Sequence, residues 1–218
     1  MLFSLFSEPV TFIFFVIALL VAITVHEFAH AWAGVMQGDP TAKLMGRLTL
    51  NPLVHLDFLG TLMIFLVGFG WGKPVPYDPR NIKNGRTSEA IIAFSGPLSN
   101  IITAFIFALP ARIYLMSTGV LPEGLISQFF ATVVALNIIL AAFNLLPIPP
   151  LDGSKILYLI LSRFSSNPIN LRQFEQVGPF IILSLVVLGR LFGISIIWRL
   201  IEPLVAGIQW LVGSTIFW

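Results

Sequence analysis

The sequence PVTFIFFVIALLVAITVHEFAHAWAG, residues 9–34, decides the class of this protein. From residue 9 to residue 25 it contains no ionisable side chain. A helix rises about 1.5 Å per residue, so about 20 such residues cross the roughly 30 Å hydrocarbon core of a bilayer. Ser7 and Pro9 are typical of a helix start, and Gly34 and Gly38 of a helix end. The stretch therefore predicts a membrane-spanning helix with the polar sequence HEFAH near its end.

The composition extends this conclusion to the whole chain. Of 218 residues, 57% are hydrophobic and 10% are charged, and the mean hydropathy is +0.94, which excludes an ordinary soluble domain. The 12 Lys and Arg residues are scattered, so no basic run is available for nucleic acid, and no nucleic-acid partner is expected. Cysteine is absent, so a metal would need His, Asp or Glu ligands. We predict a multi-pass protein of the cell membrane whose partner is the lipid bilayer.

Hydrophobic periodicity and proline positions predict the remaining elements. We expect an all-α polytopic protein with about five to six hydrophobic helices in a single domain, residues 1–218. Its core covers about 9–161 and its C-terminal helices about 178–218. The further elements are a short apolar piece at 53–69, helices at about 90–110 and 125–146, a short amphipathic helix at 154–164, and two helices within 178–218.

The basic residues predict how the helices are oriented, because Lys and Arg concentrate in cytoplasmic loops. No basic residue precedes the first helix, whereas six follow it before the next long helix: Lys43, Arg47, Lys73, Arg80, Lys83 and Arg86. The first helix then runs from outside to inside, and its HEFAH end lies near the cytoplasmic face. The piece at 53–69 must leave and re-enter that side, which predicts a re-entrant segment beside a cavity.

Residues 44–50 predict a short membrane-embedded strand after the first helix. Leu44, Gly46, Leu48 and Leu50 alternate with Met45, Arg47 and Thr49, the period of a half-buried strand. The edge of such a strand could pair with the backbone of an unwound substrate, which makes Leu44, Met45, Gly46, Arg47 and Leu48 candidate substrate-positioning residues. The alternative is a plain amphipathic connection in which Arg47 marks the cytoplasmic side.

The sequence HEFAH carries the chemistry. His26 and His30 are four residues apart and share one helix face, so their imidazoles can bind one tetrahedral metal ion with Glu27 alongside as a base. Ionisable groups inside a bilayer are expensive and usually functional. In the alternative interpretation, the two His residues satisfy one another or cap a polar helix crossing.

Two His ligands leave a zinc ion in need of a third protein ligand, usually a carboxylate, and an open position for water. Asp152 is the candidate, because it follows a helix that ends on the same membrane face. Alternatively it caps the short helix that begins after it. Iron or cobalt could occupy the same ligands.

Three motifs in order carry a family resemblance: HEFAH at 26–30, SGPLSN at 95–100 and NLLPIPPLDG at 144–153. Together they resemble the site-2 protease family of intramembrane zinc metalloproteases, in its compact bacterial and archaeal type without a PDZ or CBS module. The resemblance implies one Zn²⁺ per chain held by His26, His30 and Asp152, with Glu27 as catalytic base. It also implies that Asn144 and Pro147 position the backbone of single-pass membrane protein substrates, which are cleaved near the cytoplasmic face.

Other polar residues in apolar surroundings are weaker candidates. Asn100 could line the cavity and contact substrate, although close packing at Gly96 explains the same motif. His55 could support the site by a hydrogen bond, or cap a short half-helix. Asn144 could equally form a hydrogen bond between helices.

Two other classes of protein remain open at this point. A zinc transporter would need polar residues that continue to the outer face, and the first helix has no ionisable group from residue 9 to residue 25. A scaffold that binds helices without catalysis would usually have lost a ligand or the base, and neither is missing.

Overall fold

The computed structural model describes residues 8–67, 70–164 and 171–214. Their regular structure is helical, with one isolated antiparallel bridge between Leu56 and Gly72. The helices are α1 Pro9–Met36, α2 Thr41–Leu44, α3 Pro52–His55, α4 Phe58–Val67, α5 Arg86–Thr118, α6 Leu125–Asn144, α7 Asp152–Phe164, α8 Leu171–Leu191 and α9 Ile196–Val212.

Three of these helices, α1, α5 and α6, are long and apolar enough to cross a membrane. A fourth apolar stretch, Gln176–Gly189 within α8, is shorter. An all-helical multi-pass membrane protein is therefore confirmed, with fewer long spans in the described residues than the five to six hydrophobic helices that the sequence predicts.

Helix α1 begins at Pro9 as predicted and ends at Met36, between Gly34 and Gly38, whereas Ser7 lies outside the described residues. Proline occupies its first turn, and the residue before it is Glu8, which makes no capping hydrogen bond through its side chain. At the other end, Gly38 has a φ of +105°, a conformation that favours glycine, and the N–H of Asp39 donates to the carbonyl of Gly34 at 2.9 Å. This closure turns the chain sharply just after the HEFAH sequence.

Helix α5 is longer than predicted. We expected it to end near Pro110, but it continues to Thr118 with Pro97 and Pro110 in its interior. Membrane-spanning helices tolerate internal proline better than soluble ones, because neighbouring groups satisfy the freed carbonyls. The stop is Gly119, with a φ of +75° and an N–H that donates to the carbonyl of Leu115 at 2.8 Å.

The strand predicted at residues 44–50 is wrong. Leu44 ends α2, and Gly46 adopts a left-handed conformation with a φ of +69° that a strand does not allow. The N–H groups of Gly46 and Arg47 donate back to the carbonyls of Lys43 and Ala42, so the segment is a helix cap. Burial is also the reverse of the prediction, because Leu44 is 80% exposed and Arg47 is 4% exposed.

The apolar piece predicted at 53–69 is divided into two short helices, α3 and α4. The break falls at Leu56 and Asp57, where the Asp57 carboxylate accepts a hydrogen bond from the N–H of Gly60 at 2.7 Å and so caps α4. Helix α4 has 10 residues, and at about 1.5 Å per residue it is too short to cross a bilayer. Residues 68–69 lie outside the described residues, and re-entry into the membrane stays a prediction.

The amphipathic helix predicted at 154–164 begins two residues earlier, at Asp152. The C-terminal helices also differ in their bounds, since α8 begins at Leu171 instead of Gly178. Residues 165–170 and 215–218 lie outside the described residues.

Helix α5 is the centre of the bundle and packs against α1, α6 and α7. Its contact face is made of small residues, which allow the helix backbones to approach closely. The core around it is formed mainly by α5, α6 and α9, and includes Ala104, Ala108, Val134, Ile138, Ala141, Ala142, Val205 and Ile208. This packing brings the SGPLSN motif of α5 against the HEFAH motif of α1.

Candidate active site

The structure brings His26, His30 and Asp152 together. Oδ2 of Asp152 lies 3.2 Å from Nε2 of His26 and 3.3 Å from Nε2 of His30. One ligand atom from each of the three residues lies within 4.8 Å of the others. The spacing of the two His residues on α1 was readable from the sequence, whereas the approach of Asp152 depends on how α6 and α7 pack.

Asp152 reaches the histidines because the chain turns tightly between α6 and α7. A Cβ atom on Gly153 would collide with the carbonyl of Leu145, so only glycine permits this close approach of the two segments. Asp152 is also the first residue of α7, where a negative charge is favoured by the helix dipole. The two roles considered for this carboxylate, helix start and metal ligand, are compatible.

The ring of His26 is held from behind by α5. Its Nδ1 atom lies 2.6 Å from Oδ1 of Asn100. The amide nitrogen of Asn100 donates to the carbonyl of Ala22 at 2.9 Å and to Oδ1 of Asn137 at 2.8 Å. Asn100 is fully buried, and these contacts occupy both ends of its amide, which favours a role in positioning His26 over contact with substrate.

The ring of His30 is held by the backbone of α5. Its Nδ1 atom lies 2.7 Å from the carbonyl oxygen of Ile92, which can only accept a hydrogen bond. Nδ1 of His30 therefore carries a proton, and in the neutral ring Nε2 presents its lone pair toward Asp152. The two imidazoles meet edge to face, with ring centroids 4.6 Å apart.

The donor set fits a metal ion. Both Nδ1 atoms face acceptors, so in the neutral rings both Nε2 atoms offer a lone pair, and Oδ2 of Asp152 is buried beside them without a hydrogen bond. Three buried acceptors that face one another repel unless a cation lies between them. Two imidazole nitrogens and one carboxylate oxygen are a usual ligand set for catalytic zinc, with one position left open.

Gly96 makes room for the two imidazoles. A Cβ atom there would lie 2.5 Å from Nε2 of His30 and 2.7 Å from Cε1 of His26, too close for either ring to stay in place. The close packing that the sequence suggested at Gly96 is therefore packing against the imidazoles of His26 and His30.

Glu27 lies beside the histidines and faces another part of the chain. Its Oε2 atom is buried and has no hydrogen-bond partner among the described residues. Its Oε1 atom would be 3.5 Å from a Cβ on Gly72, which places the extended backbone around residue 72 against the carboxylate.

Two polar residues hold this extended segment. The buried guanidinium of Arg47 donates to the carbonyls of Lys73 and Pro74. Burial lowers the pKa of Arg47, and the negative charge of Glu27 opposes that shift. His55 is fully buried, its Nε2 donates to the carbonyl of Thr49 at 2.8 Å, and its backbone carbonyl accepts from the N–H of Lys73.

The remaining predicted substrate-positioning residues do not reach the ligands through hydrogen bonds. Asn144 is half-buried and its amide donates to the carbonyl of Leu140 in its own helix at 3.0 Å. Pro147 is exposed in the turn before α7. Met45 is exposed at the end of α2, whereas Leu48 is half-buried.

Two residues of the site, Asn137 and Gly72, were not among the candidates predicted from the sequence. Asn137 is a fully buried amide in an apolar helix, and a polar residue inside a membrane span is a signal that could have drawn attention to it. Gly72 gave no such signal, because its importance depends on the backbone of a loop meeting α1.

Comparison with known proteins identifies the family. The model of peptidase family M50 matches residues 14–122 and 110–188. YwhC of Bacillus subtilis, named as a candidate zinc metalloprotease, is 45% identical over 148 residues, which are 66% of this chain and 67% of YwhC. Rip2 of Mycolicibacterium smegmatis, named in the same way, is 31% identical over 148 residues, which are 65% of this chain and 55% of Rip2.

A shorter match, 40% identical over 73 residues, is to the regulator of sigma-W protease RasP of Bacillus subtilis and covers 33% of this chain and 17% of RasP. No solved structure matches the chain with statistical significance. The family model spans most of the chain and includes the paired histidines and Asp152. The chain therefore belongs to peptidase family M50, the site-2 protease family of intramembrane zinc metalloproteases.

Proposed function

We propose that this chain hydrolyses peptide bonds of single-pass membrane proteins near the cytoplasmic face of the cell membrane, as one domain that covers residues 1–218. Membership of the family implies membrane protein substrates. The observation that carries the proposal is the meeting of two imidazole Nε2 atoms and one carboxylate oxygen, with Glu27 beside them at the end of an apolar helix.

We assign His26, His30 and Asp152 as ligands of one zinc ion per chain. When bound, zinc supplies Lewis-acid activation of water and of the scissile carbonyl. The chain contributes the geometry for this chemistry. Asn100 and the Ile92 carbonyl fix both rings, and Gly96 leaves them the space they need.

Glu27 is the proposed general base. Its Oε2 atom is buried and has no hydrogen-bond partner among the described residues, so it is able to accept the proton of an attacking water. As the peptide C–N bond breaks, the same carboxyl group returns that proton to the leaving amine. Proton transfer of this kind contributes typically about 10² to 10⁴ in rate.

Substrate entry requires a transmembrane helix to unwind, because an intact helix buries its carbonyls in its own hydrogen bonds. Asn144 and Pro147 flank the turn that leads to Asp152, and we propose that they contact the unwound substrate backbone. The proposed cytoplasmic orientation is supported by basic residues around α2 to α5 that are exposed: Lys43, Lys73, Arg80, Lys83 and Arg86.

The test is cleavage of a panel of single-pass model substrates by the purified protein in bilayers. Glu27→Gln keeps the size of the side chain and removes the base, and we expect its rate to fall by at least about 10²-fold at matched zinc content. Glu123→Gln is the matched control, since Glu123 is exposed in the loop between α5 and α6.

Loss of cleavage in Glu27→Gln alone would support the proposal. Equal cleavage by Glu27→Gln and the unmodified protein would remove Glu27 from the mechanism. If the unmodified, zinc-loaded protein cleaves none of the substrates, the proposed activity on single-pass proteins is wrong.

A further inference from the structure

Asn137 is a fully buried amide in the middle of α6 that the proposed chemistry does not use directly. A buried amide in an apolar helix is costly unless its hydrogen bonds are made. Asn137 makes two bonds. Its Nδ2 donates to the carbonyl of Val133 at 2.8 Å, and its Oδ1 accepts from Nδ2 of Asn100 at 2.8 Å.

These bonds decide which way the Asn100 amide points. Because the amino group of Asn137 is directed to its own helix, its oxygen faces Asn100 and demands a donor there. The second hydrogen of the Asn100 amino group goes to the carbonyl of Ala22 at 2.9 Å. If the Asn100 amide were reversed, its oxygen would face the carbonyl oxygen of Ala22 and Oδ1 of Asn137. Because these oxygens repel one another, Oδ1 of Asn100 stays directed at His26.

The direction of the Asn100 amide in turn sets the tautomer of His26. With Oδ1 opposite Nδ1, the imidazole proton lies on Nδ1 and the lone pair lies on Nε2, toward Asp152. If the amide reversed, its N–H would face Nδ1 and the proton would move to Nε2. A protonated Nε2 cannot bind a metal ion.

We propose that Asn137 is a positioning residue that fixes the metal-binding tautomer of His26 through Asn100. This inference rests on the proposed function, because it takes His26 as a zinc ligand. Asn137 contacts neither the ligands nor the substrate, and acts across three helices, α6, α5 and α1. Partners of metal-ligating histidines typically change metal affinity by about 10- to 100-fold when they are replaced.

The first experiment measures zinc dissociation constants by chelator competition for the purified protein. Asn137→Leu keeps the branching of the side chain in a somewhat larger residue and removes the acceptor for Asn100. We expect zinc affinity to fall about tenfold, the lower end of that range, because the Ala22 carbonyl still opposes amide reversal. Asn144→Leu is the matched control for zinc affinity. Asn144 also donates to the carbonyl four residues before it in α6, but makes no bond to Asn100.

The second experiment separates positioning from packing. Asn100→Asp puts an oxygen on both sides of residue 100, so the group facing Nδ1 of His26 is an acceptor whatever stands at position 137. In that background, adding Asn137→Leu also removes an oxygen–oxygen contact, so it should not lower zinc affinity. A role of Asn137 in packing alone predicts the same loss in both backgrounds.

The third experiment reads the tautomer without zinc. The chain has three histidines, so imidazole ¹⁵N signals in the zinc-free protein can be assigned by replacing them in turn. We expect His26 to show its proton on Nδ1 in the unmodified protein and a mixture of tautomers in Asn137→Leu.

The inference is overturned if Asn137→Leu binds zinc like the unmodified protein, or if its loss of affinity is the same in the Asn100→Asp background. An unchanged His26 tautomer in Asn137→Leu would overturn it as well, and this readout remains available if the variant is too unstable for affinity measurements. Failure of the unmodified protein to bind zinc would instead contradict the proposed function, so the two failures are distinguishable.

Discussion

The histidine side of the site and the glutamate side differ in how completely their buried polar atoms are hydrogen-bonded. On the histidine side, both Nδ1 atoms and the amides of Asn100 and Asn137 have partners, and the buried atom without a hydrogen bond is Oδ2 of Asp152, which faces the two Nε2 atoms. On the glutamate side, Oε2 of Glu27, Nε of Arg47 and Nδ1 of His55 are buried without a partner among the described residues.

The difference separates groups that need a fixed geometry, such as metal ligands, from groups that must bind a water or a proton during the reaction. Metal ligands need fixed geometry, which bonds from rigid helices supply. A base that takes up a proton needs an oxygen that is not already engaged. The bundle of α1, α5 and α6 provides the first condition, and the connecting segment between α1 and α5 leaves room for the second.

The largest effect is expected when the carboxylate of Asp152 is removed from the histidine side. Asp152→Ala removes one of the three proposed ligands, and we expect zinc affinity to fall by more than about 100-fold, beyond the range for partners of ligands. The loss is measured as the amount of zinc that remains bound per chain after dialysis. Asp57→Ala is the control, since that carboxylate caps α4 and should affect the helix alone. Unchanged zinc content in Asp152→Ala would remove this residue from the ligand set.

The second effect tests whether the histidine side is rigid. Gly96→Ala adds a Cβ 2.5 Å from Nε2 of His30, so at least one ring must move. We expect about a 10- to 100-fold weaker zinc affinity, comparable to the loss of a partner that orients a ligand. Gly207→Ala is the matched control in α9, where a Cβ meets nothing within 4 Å. Normal zinc affinity in Gly96→Ala would show that the rings are free to adjust.

The third effect tests the glutamate side. Arg47→Ala removes the donors to Lys73 and Pro74, which hold the segment of Gly72 against Glu27. We expect cleavage to slow about tenfold, because each tenfold corresponds to about 1.4 kcal/mol of lost positioning.

Zinc affinity is the control measurement for Arg47→Ala and should not change. Arg47→Lys keeps the charge but not the forked geometry, so it should restore only part of the rate. Loss of zinc in Arg47→Ala would mean that the two sides of the site are not independent.

The smallest effect is expected on stability, in the loop after α1 that contains Asp39. The buried carboxylate of Asp39 accepts hydrogen bonds from Thr41, Asn81 and the backbone N–H of Asp78. Burial alone would raise the pKa of Asp39, but these hydrogen bonds outweigh it and lower the pKa. Asp39→Asn should cost about 1–3 kcal/mol, because an amide offers one acceptor and sets its N–H₂ against donors.

The sign of the pH dependence follows from the lowered pKa of Asp39. Its contribution is fully present above the unfolded-state pKa of about 3.9 and is lost as the pH falls through the lower folded-state value. Thermal unfolding from pH 7 to pH 3 should therefore show a loss below about pH 4 that Asp39→Asn lacks. Asp78→Asn, which removes an exposed pair with Arg80, should change stability little.

The sequence predicted the histidine side better than the glutamate side. The pair of His26 and His30 depends on helical spacing, and α1 has the predicted bounds, so local geometry was sufficient. Asp152 was identified from its place after α6. Asn137 was missed although a polar residue in an apolar span is a signal, because its contact with Asn100 depends on how α5 and α6 pack.

Local patterns failed in the segment that covers Glu27. The alternation at 44–50 predicted a strand, but Gly46 turns the chain and the charged Arg47 becomes buried by binding carbonyls. Periodicity treats a charge as exposed, and it cannot anticipate a buried charge that is satisfied by a distant loop. The end of α5 was predicted too early, near Pro110, because the rule that proline ends helices is weaker in membranes.

The position of Asp152 also has a consequence for the biosynthesis of the protein. The two histidines leave the ribosome early, whereas the third ligand is residue 152. At about 5–20 residues per second, the interval is on the order of 10 s, during which α1 can enter the membrane without a complete site. With the proposed ligand set, the zinc site is complete only after α6 and α7 have docked, so the proposed hydrolysis can begin only when folding is complete.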